Sequence, residues 1–162
     1  MNRKRFWMML PPVAMCLIDQ AFTLLGQDPK YWQGDYSLAK EGNPLFRRIL
    51  ETHPLLFEGG VLAWMLFFCV VIYLLPRRLA MVGAIATAVG HTWGASTWIL
   101  WLSSQATLAS MARSIAHDAG AWETFLSTHG YWLTFPLFIL AGALITLAVE
   151  KSGKSPMPDG QT

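Results

Sequence analysis

Four apolar runs, each about as long as a bilayer is thick, alternate with short charged segments: Phe6 to Leu25, Leu55 to Leu75, Leu79 to Leu102 and Tyr131 to Val149. Roughly 20 apolar residues in helical form cross the hydrocarbon core of a membrane. Lipid offers no hydrogen bonds, so a spanning segment must satisfy its backbone internally, and a helix does so alone. The sequence therefore predicts an all-α membrane protein, a four-transmembrane-helix bundle over residues 1–150, followed by a polar tail at 151–162 read as disordered and cytoplasmic. Charged residues make up only 14% of the chain, against about 25% in soluble domains, which agrees with a chain short of water-facing surface.

Other classes are excluded on similar grounds. A basic start and an apolar stretch also describe a signal peptide. Here the run is long enough to span, and Gly26-Gln27-Asp28-Pro29, not a small-residue cleavage site, follows it. A net charge of +2 with no basic stripe between aromatics argues against nucleic acid. Cys16 and Cys69 fall inside apolar runs and are read as small apolar fillers.

Basic residues set the expected orientation. Arg3, Lys4, Arg5, Arg77, Arg78, Lys151 and Lys154 fall in short segments on one side. Lys30, Lys40, Arg47, Arg48 and Arg113 spread over two longer loops on the other. Basic density in short loops marks the cytoplasmic face, so both termini are expected in the cytoplasm of a multi-pass protein of the bacterial inner membrane. In the first outer loop, Asn43-Pro44 predicts a short helix from Pro44 to about Thr52, since Asn caps and Pro starts helices well. His53-Pro54 then breaks it and begins the next span. In the second outer loop, Leu108, Met111, Ile115, Ala119 and Trp122 recur at helical spacing, predicting an amphipathic helix over most of 103–128 lying along the outer interface. Pro136 is expected to kink the last span. Trp93, Trp98, Trp101, Tyr131 and Trp132 are read as an interfacial aromatic belt, with a quinone or lipid pocket as the lesser reading.

An ionisable group inside a span is costly, so each is a functional hypothesis. Asp19, Glu58 and His91 qualify. At about 1.5 Å per residue they lie roughly 9, 5 and 16 Å below the outer ends of their helices. One polar cluster opening outward explains all three, with Asp19 and His91 turned inward to meet. Thr23 stands one turn above Asp19. Two small-residue stripes, Gly83-Thr87-His91-Ala95 and Ala86-Gly90-Gly94, suit close packing of the third helix. Glu41, Asn43 and His53 can fold over the mouth. Three readings stay open. The cluster fixes helix packing, as in a structural or accessory subunit of a membrane complex. Or it binds a divalent metal through Asp19, Glu41, Glu58 and His91, with Asp19, His91 and Glu58 as the catalytic set of a membrane-embedded metal-dependent hydrolase. Or it is a site for a proton, a small solute or a partner, either another membrane protein or a second copy of the chain. Beyond the lipid bilayer, no partner is fixed by the residues.

Asp19-x-x-x-Thr23 followed by Glu41-x-Asn43-Pro44 resembles the pattern of an uncharacterised family of small bacterial and archaeal polytopic membrane proteins, with a longer loop between the two halves here. The resemblance covers the first third of the chain and implies no activity. The Asp19-Gln20 pair is also similar to one in lipoprotein signal peptidase, an intramembrane aspartic protease. That activity needs aspartates on later helices, and the third and fourth runs here contain none.

Overall fold

A computed structural model describes residues 3–115, 129 and 132–153, with the backbone alone over 107–115. Within these residues every regular element is helical. Helix α1 is Arg3–Leu25, α2 Pro29–Trp32, α3 Pro44–Thr52, α4 Pro54–Leu74, α5 Arg77–Ile115 and α6 Thr134–Gly153, with a 3-10 turn at Tyr36–Leu38. Three of them, α1, α4 and α6, are long and apolar enough to cross a membrane. Helix α5 is longer still, but polar residues from Thr87 to Thr97 interrupt its apolar run.

Local chemistry explains the boundaries. Asn43 caps α3, its Oδ1 accepting from the N–H of Leu45 at 3.0 Å and of Phe46 at 3.4 Å, with Pro44 in the first position. His53 does two jobs. Its N–H donates to Ile49 O at 3.2 Å, ending α3, and its Nδ1 accepts from Leu55 N–H at 3.1 Å, starting α4 before Pro54. The expected short helix and the break after it are both present. Gly34 takes a φ of +107°, which turns the chain after α2 at no steric cost.

Two expectations are corrected. Pro136 does not kink the last helix, because α6 begins at Thr134 and the proline sits in its first turn, where a missing N–H costs nothing. The outer interfacial helix does not begin as a separate element after Leu102. Residues 103–115 continue α5 unbroken to 39 residues, about 58 Å of helix. No Gly or Pro stops it there, and Ser103 and Ser104 bond their hydroxyls back to the carbonyls of Ile99 and Trp101 at 2.7 Å. The remainder of that expected helix, 116–128, and the tail from 154 lie outside the described residues; Lys151–Gly153 are the end of α6.

Helix α1 is the hub, packed most extensively on α5, then on α6, and more lightly on α4. Met15, Ala88, Ala95, Ile99, Leu137 and Ala141 form the core between α1, α5 and α6. The buried face of α5 carries Ala80, Ala84, Ala88, Thr92, Ala95, Ser96, Ile99 and Ser103, mostly small side chains that let backbones approach. Of the two stripes read from the sequence, Ala95 alone lies fully on it. Ala86 and Gly90 are exposed, and Gly83, Thr87 and Gly94 are only half-buried. At one end, Arg5 donates to Ile72 O at 2.9 Å, and Arg77 donates to Ser152 O. These bonds gather the start of α1, the end of α6 and the α4–α5 turn together.

Candidate functional site

Helix α4 packs only lightly on α1 and α5, and a cavity of about 580 Å³ opens between the three helices, bordered also by α3. Its apolar wall includes Phe46, Phe57, Val61 and Trp64, and its polar wall Asp19, Thr23, Glu41, Asn43 and His91. Four of the five named positions of the D-x-x-x-T and E-x-N-P patterns, Asp19, Thr23, Glu41 and Asn43, border one space, and Pro44 starts α3 beside it. Among the described residues no lysine or arginine lines it.

Asp19 and His91 meet, with Oδ2 and Nδ1 2.8 Å apart and each side chain about one-fifth exposed, 21% and 24%. Gly94, nearly one turn above His91, makes the approach possible. A Cβ at that position would lie 2.7 and 2.8 Å from the two Asp19 oxygens. The carboxylate thus rests on bare α5 backbone and turns its second oxygen to the imidazole.

Glu41 reaches the cavity from the segment between the 3-10 turn and α3. Its Oε1 accepts from Asn43 N–H at 2.7 Å. Burial pushes its carboxyl above the usual range and the nearby Asp19 charge adds to that, against the backbone N–H groups of Asn43 and Gly42 and the Thr23 hydroxyl. What holds Glu41 in place is Gln27. The Gln27 amide donates to Thr23 O and to Lys40 O, and its oxygen accepts from Lys40 N–H, all at 2.7 Å. Lys40 itself stands 4.4 Å over the Trp101 ring, and the Trp98 ring lies against Gly26. Two of the expected belt tryptophans thus anchor the segment between α1 and α3. Beyond Glu41 a second cavity of about 380 Å³ is lined by Lys40, Glu41, Gly42, Thr97, Trp98 and Trp101, so Glu41 borders both spaces.

Glu58 takes a different partner from the one expected. Its carboxylate accepts from the buried Gln20 amide, and it does not line the cavity. Asp19 and Gln20 are successive on α1, so they point to different neighbours, about 100° apart around the helix. His53 is spent on its cap and on an edge contact with Tyr36 at 5.2 Å. Among the described residues no three His, Cys, Asp or Glu side chains are grouped as metal ligands. Asp19 and His91 face each other, Glu58 faces Gln20, and one Glu41 oxygen accepts from the Asn43 N–H.

Two contributors escaped the sequence reading. Gln27 looked like an ordinary loop residue, and its three bonds depend on a return of the chain thirteen positions later. Cys16 lies one turn below Asp19, is 5% exposed, and borders the cavity beside His91. Its i, i+3 spacing from Asp19 was the available signal. No protein-family model, no curated protein and no solved structure matches the chain.

Proposed function

We propose that the chain is a multi-pass protein of a bacterial inner membrane, crossing four times with both termini in the cytoplasm, and that its cavity binds a small amphiphile. The ligand's head is cationic or rich in hydrogen-bond donors and sits at Asp19 and Glu41. Its apolar body lies along Phe57, Val61 and Trp64.

Helix α5 serves as the fourth span despite its polar residues because of where they point. Thr92, Ser96 and Ser103 are buried and return their hydroxyls to the carbonyls four residues back, at 2.7 Å. His91 is paired with Asp19. The outward residues from 79 to 100 are Leu79, Val82, Ala86, Val89, Gly90, Trp93, Thr97 and Leu100, an almost wholly apolar lipid face. Gathering of the start of α1 and the end of α6 with the α4–α5 turn supports termini on one side, and basic density supports the cytoplasmic side.

The cavity carries the ligand reading. A packing role alone needs a satisfied Asp–His pair and no empty volume. A space of about 580 Å³ with a few convergent polar groups on an apolar wall has the proportions of a small-molecule site. With two carboxylates, one imidazole and, among the described residues, no lysine or arginine on its walls, it favours a positive head over a negative one. The expected test compares a dodecyl amine, a dodecyl alcohol and dodecanoate at equal concentration, by thermal unfolding of the detergent-purified protein. The amine should raise the midpoint most and dodecanoate least, and Asp19→Asn with Glu41→Gln together should remove the difference. Equal effects of the three amphiphiles, or a preference for dodecanoate, would overturn the assignment.

A further inference from the structure

We propose that Cys16, His91 and Asp19 act together as a nucleophilic triad that takes an acyl group from a lipid-like ester or thioester held in this cavity. The inference rests on the cavity being a ligand site, and adds a reaction to it.

The placement is that of a working set. Asp19 holds one ring nitrogen of His91 at 2.8 Å, and Cys16, one turn from Asp19 on α1, lines the same cavity as that ring. Cys16 and His91 together border both the large cavity and a narrow crevice beside Pro12, Trp64 and Thr87. A carboxylate that orients an imidazole, with the imidazole beside a thiol, is the general arrangement for activating a nucleophile. Cys69 shows what a filler looks like in the same chain. It sits on α4 among Met8, Met9 and Ile72, away from the cavity.

The chemistry balances with the residues present. The Cys16 sulfur attacks the acyl carbonyl while His91 takes the thiol proton. The tetrahedral adduct collapses, the bond from carbonyl carbon to the leaving oxygen or sulfur breaks, and His91 returns the proton to that atom. The products are a thioester on Cys16 and a free alcohol or thiol. Water then attacks the thioester with His91 as base, releasing the carboxylic acid and restoring the thiol. Thr87, one turn below His91 and lining both spaces, supplies a hydroxyl for the carbonyl oxygen. Phe57, Val61 and Trp64 give the acyl chain its apolar wall. Cys16 and His91 are the catalytic residues, and Asp19 is a positioning residue.

The test uses the full-length protein in detergent with p-nitrophenyl dodecanoate. The expected result is release of p-nitrophenol with one dodecanoyl group on the peptide holding Cys16 and none on the peptide holding Cys69. His91→Gln should slow acylation about 100-fold or more. Asp19→Asn should slow it less and shift the pH profile. Should these variants fold poorly, the wild-type chain alone suffices. Alkylation of Cys16 by a hydrophobic iodoacetamide should follow a pH profile set by an imidazole, while Cys69 follows that of an isolated thiol. Acylation of Cys69 as fast as Cys16, an undiminished rate in a folded His91→Gln variant, or one shared alkylation profile for the two thiols would overturn the triad. A midpoint raised by dodecyl amine without acylation of Cys16 would sink the triad and spare the cavity reading. His91-dependent acylation without any preference among the amphiphiles would do the reverse.

Discussion

On one side α1 meets α5 and α6 through residues that leave no room, and on the other it faces α4 across an open cavity. The closed side is built from alanines at spacings of four, with Ala80 and Ala88 fully buried, and from Met15 and Leu137 set between them. The open side uses larger residues, Phe57 and Val61, yet α4 touches α1 and α5 only lightly. Small side chains draw the backbones together and bulky ones hold α4 off. The difference teaches where a polar pair can live. Asp19 and His91 sit at the seam, near enough to α5 for Gly94 to admit the carboxylate and beside space that can take up water or a ligand. On the closed side the same two side chains would be packed in a core with no space for water or a ligand.

Enlarging a residue on the closed side should have the largest effect. Ala88→Leu must force apart α1, α5 and α6 where no volume exists, at a cost of about 3 kcal/mol. Thermal unfolding in detergent should show a clear loss of midpoint. An unchanged midpoint would mean that the two sides are packed alike. A sharper comparison needs one helix and one added methyl. Gly94→Ala places a carbon inside the Asp19 carboxylate, so the pair must shift, at about 1–2 kcal/mol. Gly90→Ala, one turn away, meets nothing within 4 Å. It should be neutral or gain up to about 1 kcal/mol from helix propensity. Equal losses from both would show that the cavity is not open at Gly90.

Much of this arrangement was legible in the sequence, and what was not has a common cause. Helical rise gives depth, so Asp19 and His91 could be matched along the membrane normal, and Asn43-Pro44 declares its own helix start by local chemistry. Rotation of one helix against another is not written in spacing. Glu58 lies at a suitable depth for the pair yet turns to Gln20, and the buried line on α5 runs through Ala84 and Ala88 instead of Gly83 and Thr87. Gln27 pins Lys40 through a closure that no periodic pattern signals. The run of α5 past Leu102 was missed because its apolar spacing fits an interfacial helix equally well, and only the absence of a breaker distinguishes the two.

The smallest expected effect belongs to Glu41, where loop and cavity meet. Burial first, and the Asp19 charge with it, raise its carboxyl above the usual range. A group held above its unfolded value binds its proton more tightly in the folded chain. Its contribution is therefore fully present below the unfolded value and is lost as pH rises through the folded one. Near neutral pH the ionised carboxylate is a mild liability for folding, softened by the N–H groups of Asn43 and Gly42. Glu41→Gln keeps an acceptor for the Asn43 N–H and cannot ionise. It should melt about 1–2 °C above the wild type at neutral pH, a small gap because the group is partly exposed and water screens it. The gap should close on acidification through the raised value. Other carboxyls titrate in both proteins, so the difference between the two midpoints is the quantity to follow. A gap that widens as pH falls would mean that the charged form of Glu41 is the one the fold prefers, held by the Asn43 and Gly42 N–H groups and the Thr23 hydroxyl more strongly than burial and Asp19 oppose it.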